Sequence, residues 1–373
     1  MKIDKTSNVP SFFQVVEFIE KKFICNPAYT EAALPSIEEM AALFKVSKVT
    51  VEAAINFLNE AGLLTSKVGR GTFIIPPNSR KTSKTLQNLY LVSIDPSFNP
   101  QNSFFHKRLS EELSAITNKR GLNFEYRYIP ETHRYKNFVD LQRLVRAPGN
   151  GFIFLGSNPD YQSLPESLEQ QQRPYIHFGQ LESSDWPCLR TPFSKGTFVH
   201  SMNLAMQHLF DLGHRNIVLF AFKDTSDIPH TRINTYRTFM GKHVPDCPPD
   251  ILFKSDWEPD IQAGWRLLTE RLRKDRNFTA IVTLNDRLAA GAIIALKDAK
   301  IRVPEDVSVL GHDDERGLVD DFVPTISSIG DGFAAMADNA ARRLIDDLPP
   351  RPVEMTLHQR ESTGYCRSAL KAE

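Results

Sequence analysis

Between residues 88 and 313, short apolar runs alternate with longer amphipathic ones, and this alternation limits the fold more than any other feature of the chain. "NLYLVSI", "LNFEYRYI", "GFIFLG" and "RPYIHFG" are rich in β-branched and aromatic residues and read as strands. "FFHKRLSEELSAITNKRG", "YKNFVDLQRLVRA" and "YQSLPESLEQQQ", which lie between them, carry apolar residues at helical spacing. Such alternation builds a parallel sheet clad by helices. It breaks through "QLESSDWPCLRTPFSKG" and then restarts with the strands "RNIVLFAF", "DILFKSD", "TAIVTL" and "DVSVLGHDD". The expected body, residues 88–373, is therefore α/β: two doubly wound parallel sheets in two lobes. Lobe 1 takes about 88–190 and 328–348, and lobe 2 about 191–327 and 349–367. Sheets of this kind bind ligands at the carboxyl ends of their strands, and a cleft between lobes is a common small-molecule site.

Residues 1–76 read differently. Phe12, Val15, Val16, Ile19 and Phe23 form one helical stripe. Ser36 followed by Glu39 is a capping-box arrangement that opens a second helix. Ser47 caps a third, whose Val51, Ala54, Ile55 and Leu58 form the buried side, and Gly62 ends it. "LLTSKVGRGTFII" then reads as a hairpin with a glycine-rich tip. This order is that of a winged helix-turn-helix, in which the second helix of the pair enters the major groove by its N-terminal end. Residues 77–87, within "PPNSRKTSKTLQN", lack periodicity and read as a flexible basic linker.

The segment "LPSIEEMAALFKVSKVTVEAAINFLNEAGLLTSKVGRGTFI" resembles the GntR-type winged-helix domain through Leu34-Pro35-Ser36, Val46-Ser47, Thr50-Val51, Gly62-Leu63-Leu64 and Gly69-Arg70-Gly71-Thr72-Phe73. That resemblance implies DNA binding, with Ser36, Ser47, Lys48, Thr50, Val51 and Glu52 facing DNA from the helices and Arg70, Gly71 and Thr72 from the wing. Three positions where the family usually has arginine hold Glu38, Lys48 and Glu52. Two carboxylates there should weaken nonspecific phosphate binding and lower its salt dependence. Glu52 has two readings: an acceptor for a cytosine amino group, or a solvated bystander.

The body resembles the LacI/GalR-type effector domain through "HLFDLGHRNIVLF", "TAIVTLNDRLAAGAIIALKDAKIRVPEDVSVLGHDD" and "PTISSI…AARRLIDDL". The resemblance implies that Arg232, Asn285 and Asp313 contact an effector and that Trp257 stacks on it. Carboxylate, amide and guanidinium groups suit neighbouring hydroxyls, and an indole suits an apolar sugar face. From the first lobe, Phe104 and Phe105 open a helix at the cleft, and His177 and Gln180 end a strand there. Asp286 reads as the N-cap of the helix that follows, and Asp314 as structural. Where the family often has Asp-Arg, this chain has Gly179-Gln180.

Composition sets the remaining bounds. The chain has 45 Lys/Arg and 45 Asp/Glu, but residues 1–85 carry 11 and 8, a mildly basic head on a neutral body. The four cysteines, at 25, 188, 247 and 366, lack the spacing of a metal or redox pair. The N-terminus has no secretion-signal pattern, and no run of 18 apolar residues occurs, so a cytoplasmic location is expected. No nucleophile elbow, zinc-protease motif or phosphate loop is present, so neither an enzyme nor a cofactor or metal site is expected. The resulting expectation is a homodimeric regulator that binds double-stranded operator DNA and responds to a small molecule, a sugar first and a non-sugar such as a purine second. A secreted solute-binding protein would share the body but has no use for the head. Repression relieved by ligand is what the resemblance favours; activation and corepression stay open.

Overall fold

The structure is a computed structural model describing residues 3–4, 10–24, 26, 29, 33–76, 86–93, 104–128, 134–156, 161–178, 187–193, 195–223, 227–255, 258–330 and 332–367. Gln180, Trp257 and nine residues of the expected linker (77–85) lie outside this set.

The head contains α1 (Ser11–Ile19), continued by a π-helical turn over Glu20–Ile24, then α2 (Ile37–Phe44), α3 (Lys48–Glu60) and the strands β1 (Leu64–Lys67) and β2 (Gly71–Ile74). The capping box forms as read: Ser36 Oγ accepts from Glu39 N at 3.2 Å, and the Glu39 carboxylate accepts from Ser36 N at 2.7 Å. Ser47 Oγ likewise accepts from Thr50 N at 3.2 Å and opens α3. Strands β1 and β2 pair antiparallel from Leu64–Ile74 to Lys67–Gly71. Gly69 and Gly71, at φ +71° and +99°, supply the left-handed backbone this tip requires.

The first lobe follows chain order β3 (Asn88–Ser93), α4 (Phe104–Lys119), β4 (Asn123–Tyr128), α5 (Arg134–Arg146), β5 (Asn150–Leu155), α6 (Ser163–Gln170), β6 (Tyr175–Phe178) and β7 (Leu189–Arg190). Its five strands are parallel in the order β4-β3-β5-β6-β7. The second comprises α7 (Lys195–Asp211), β8 (Ile217–Phe222), α8 (Asp227–His243), β9 (Asp250–Lys254), α9 (Asp260–Lys274), β10 (Ala280–Thr283), α10 (Asp286–Asp298), β11 (Ser308–His312), α11 (Arg316–Val319), β12 (Ser327–Gly330) and β13 (Thr356–His358), while α12 (Phe333–Leu344), between the last two strands, returns to the first lobe. The sheet of the second lobe runs β13-β12-β11-β10-β8-β9, parallel except for β13 at the edge. Residues 328–330 thus belong to the second sheet rather than to a segment returning to lobe 1, and α12 is the element that packs on α4. Polar Ser327 and Ser328 stay in that sheet because both are bonded inside it: Ser362 Oγ accepts from Ser327 N at 2.8 Å, and Ser328 Oγ donates to Asp286 at 2.6 Å.

Strand alternation divides the apolar core into layers. In lobe 1, Leu89 and Leu91 face α4 and α12, while Tyr90, Val92, Phe152 and Phe154 face α5 and α6. In lobe 2, Leu219, Ala280 and Val282 face α7 and α8, while Val218, Phe220 and Ile281 face α9 and α10. Helices α9 and α10 approach backbone to backbone because both carry glycine at the crossing. A Cβ at Gly264 would lie 2.3 Å from Leu288 O, and one at Gly291 would lie 2.1 Å from Ile261 O. This proximity brings together the two helix N-termini, which carry Asp260 and Asn285.

Candidate DNA-facing and ligand-binding sites

The N-terminal end of α3 and the β1–β2 tip both reach solvent. Lys48, Glu52 and Arg70 are exposed, and Val49 is 72% exposed. Val51 is fully buried with Ala54, Ile55 and Leu58, so the structure does not bring it to the expected DNA-facing set. Its place on the outer face is taken by Val49, which the sequence reading passed over. The hydroxyls of Ser36, Ser47 and Thr50 are engaged in the two helix caps, and that of Thr72 lies 3.1 Å from Ser66 Oγ. Lys48 Nζ donates to Glu38 at 2.6 Å, and this contact lowers the Glu38 pKa. Two of the three positions that depart from the arginine pattern therefore neutralise each other, leaving Glu52 as the separate carboxylate.

A cavity of about 520 Å³ opens between the lobes at the carboxyl ends of their strands. Phe104, Phe105, Arg232, Asn285 and Asp313 line it, as expected. His177 does not. It is buried, lies 2.5 Å from Gly156 O through Nε2, and stands edge-on to Phe154 in the opposite layer. Period-two alternation sends its neighbour Phe178 into the cavity instead.

The two walls differ in chemistry. All the charged lining side chains among the described residues come from lobe 2: Arg232, Lys254, Glu258, Asp260, Arg287, Asp313 and Glu315. The lobe 1 wall is apolar and built from a chain of rings. Phe104 and Phe105 stand edge-on to Phe333, and Phe105 to Phe178, at centroid distances of 5.4–5.6 Å. Phe193 links Phe178 to Phe198 at 5.6 and 4.6 Å.

On the polar wall, Asn285 rather than Asp286 is the N-cap of α10. Its Oδ1 accepts from Leu288 N at 2.9 Å, and its Nδ2 donates to Asp260 at 2.7 Å. Asp260 also pairs with Lys254 at 2.7 Å. Asp286, the first helical residue, is buried and accepts from Ser328 Oγ at 2.6 Å and Glu315 N at 2.8 Å. Burial, reinforced by Asp313, raises its pKa well above the carboxylate range. Asp313 sits at φ +96° and Asp314 at φ +50°, left-handed conformations that strain a non-glycine residue. Asp314 holds this turn through Arg360 at 2.7 Å and Arg316 at 2.6 Å. Burial pushes the Asp313 pKa up to about 6, opposed by Arg232. Arg232 is buried over the Phe198 ring and donates to Leu284 O at 3.3 Å, while its buried Nε has no hydrogen-bond partner among the described residues. A guanidinium beside a carboxylate, both lining the cavity, suits a ligand that both accepts and donates, as adjacent hydroxyls do. Among the described residues, no group of three or more His, Cys, Asp or Glu is placed to hold a metal, and no helix is long and apolar enough to cross a membrane.

Residues 14–74 match the family described as bacterial regulatory proteins, gntR family, and residues 206–363 match the periplasmic binding protein-like domain. The chain joins a GntR-type head to a periplasmic binding protein-like body. Over 140 residues it is 35% identical to the HTH-type transcriptional regulator GalR of Salmonella typhimurium, an alignment covering 37% of this chain and 40% of that one. It therefore spans two-fifths of the length of that relative. At 26% identity it aligns over 94% of its own length and 94% of the arabinose metabolism transcriptional repressor of Geobacillus stearothermophilus. A LacI family regulator from Enterococcus faecium, solved with bound ribose, shares the fold at a TM-score of 0.60 and 23% identity, covering 75% of this chain and 100% of that one.

Several lining residues of the body escaped the sequence reading. Phe333 and Met336 lie at the start of α12 just after β12, and Met355 just before β13, two strands that supplied none of the expected ligand residues. Lys254 and Asp260 lie within six residues of Trp257, so a search around that position would have found them. Arg287 and Glu315 pair at the cavity rim at 2.6 Å, a contact between the first turn of α10 and the N-cap of α11 that spacing alone does not reveal.

Proposed function

We propose that the chain is a ligand-responsive transcription regulator. The GntR-type head binds operator DNA as part of a homodimer, whose two-fold symmetry an approximately palindromic site mirrors. A sugar enters the interlobe cavity and changes operator affinity. The observation that carries this reading is the buried Arg232–Asp313 corner. It places a guanidinium beside a carboxylate at the strand ends, both residues lining the cavity, opposite an apolar wall suited to the C–H face of a sugar ring. The names of the relatives support it: one regulates arabinose metabolism, and a fold neighbour holds ribose. Repression relieved by ligand is the favoured sign. The ligand acts through its different affinities for two states of the body.

A flat heteroaromatic effector such as a purine is the second reading, favoured by the linked phenylalanine rings of the lobe 1 wall. The two separate by thermal unfolding of the full chain against a panel of arabinose, ribose, galactose, glucose, cellobiose, adenine and guanine. A ligand at 100 times its Kd adds about 2.7 kcal/mol to stability. Stabilisation by a sugar that disappears in Arg232→Ala supports the proposal. Stabilisation by a purine alone replaces it with the second reading. Stabilisation by no compound removes both.

A further inference from the structure

The head does not stand apart from the body. Its apolar core is continuous with the outer layer of lobe 1: Phe13 of α1, fully buried, meets Phe138 of α5 at a ring distance of 4.9 Å. A buried ion pair crosses the same boundary. Arg146, at the end of α5, donates to Glu20 from Nε at 2.8 Å and from Nη2 at 2.6 Å, with side-chain exposures of 0% and 5%. The guanidinium also lies over Phe13 and over Phe57 of α3, 5.4 Å from each centroid. A bidentate, fully desolvated pair is costly to bury and persists only where the surrounding geometry satisfies both charges. Here Gln142 O takes a further Arg146 N–H at 3.1 Å. Two exposed contacts frame the patch, Lys21–Glu166 at 3.6 Å and Arg143–Glu60 at 3.8 Å. Phe57 and Glu60 belong to the C-terminal half of the helix whose N-terminal end faces DNA. Docking therefore reaches the recognition helix from behind and leaves Lys48 60% exposed in front.

We infer that the head docks on the α5–α6 face of lobe 1 of its own chain, pinned by the Glu20–Arg146 pair, so that the recognition helix is oriented by lobe 1 rather than by a loose tether. This inference goes beyond the effector reading and stands whether or not a sugar is the ligand. The contact tests itself chemically. A carbodiimide joins an amine and a carboxylate in direct contact as an amide with loss of water, and Lys21 and Glu166 are accessible enough to react, at 51% and 35% exposure. In the full chain without DNA or ligand, peptide mass spectrometry should find Lys21 joined to Glu166 in the monomer band of a denaturing gel. The exposed Lys48–Glu38 pair inside the head, at 2.6 Å, is the internal standard. Arg146→Gln should lower the Lys21–Glu166 yield at least tenfold relative to that standard. Glu20→Gln should do the same and replaces Arg146→Gln if the latter gives no folded protein. Three results overturn the inference: the standard forms but Lys21–Glu166 does not, the link appears only between chains, or both variants leave its yield unchanged.

Discussion

Gly291 decides how closely α9 and α10 can pack, and therefore whether Asp260 and Asn285 can touch at the cavity wall. In Gly291→Ala the new methyl group would lie 2.1 Å from Ile261 O and 2.7 Å from Trp265 N, both backbone atoms that cannot rotate away. The helices must separate. Overpacking of this kind costs roughly 1–3 kcal/mol. The intrinsic gain from replacing glycine by alanine inside a helix, about 1 kcal/mol, offsets part of it. A 2.1 Å contact with backbone puts the cost in the upper part of the overpacking range, roughly 2–3 kcal/mol, so the net loss is about 1–2 kcal/mol, or a Tm roughly 2–8 °C lower at the 2–4 °C per kcal/mol typical of domains this size. Gly241→Ala is the matched control. It lies in α8 with nothing within 4 Å of the added carbon, so it should gain about 0.5–1 kcal/mol. Urea unfolding of both variants, followed by circular dichroism, reads the two signs directly. A Gly291→Ala protein as stable as its parent would refute the packing argument, whatever the control did.

Further outcomes follow from other residues. Arg232→Ala and Asp313→Ala should each lose sugar-dependent thermal stabilisation while keeping DNA binding; unchanged sugar affinity in both would remove the cavity assignment. Arg70→Ala should weaken DNA binding, measured by anisotropy on a duplex selected from a random library; equal affinity would exclude the wing. Glu52→Gln separates the two readings of that carboxylate. A changed preference at one base position means readout, and a uniform gain on all duplexes means relieved repulsion. His312 and His106 are buried, which draws their pKa values down to about 3 and about 4. Between those values and roughly 6.5 the unfolded chain takes up protons that the folded chain does not. The stability these two histidines contribute is therefore complete above about pH 6.5 and is lost as pH drops through this window, while Asp313 and Asp286, whose pKa values burial raises, contribute in the opposite sense. The urea midpoint of the wild type, measured relative to that of His312→Gln, should therefore fall from pH 7 to pH 4; a difference that stays constant with pH would contradict the burial argument.

The fold was legible in the sequence because its signals are local. Capping at Ser36 and Ser47, the glycine tip of the wing and the strand–helix alternation each depend on residues a few positions apart. Placement within the site was less legible. His177 and Phe178 are adjacent, and only the phase of β6 in its sheet decides which one enters the cavity. Asn285 and Asp286 both make good caps, and the choice fell to Asn285 because Ser328 and Glu315, far along the chain, claim the Asp286 carboxylate. Val51 was read both as core and as DNA-facing, although one side chain on a helix cannot serve both. The contact of Glu20 with Arg146 links positions 126 residues apart and had no sequence signal.

The central claim is that a molecule in the cavity changes DNA binding by the head. The direct measurement is anisotropy of a duplex selected by the ligand-free chain, titrated with protein in the presence and absence of the stabilising sugar, for the wild type and for Arg232→Ala. The account predicts at least a tenfold change in Kd with the wild type and none with Arg232→Ala. A sugar that binds the wild type yet leaves its DNA affinity unchanged would contradict it.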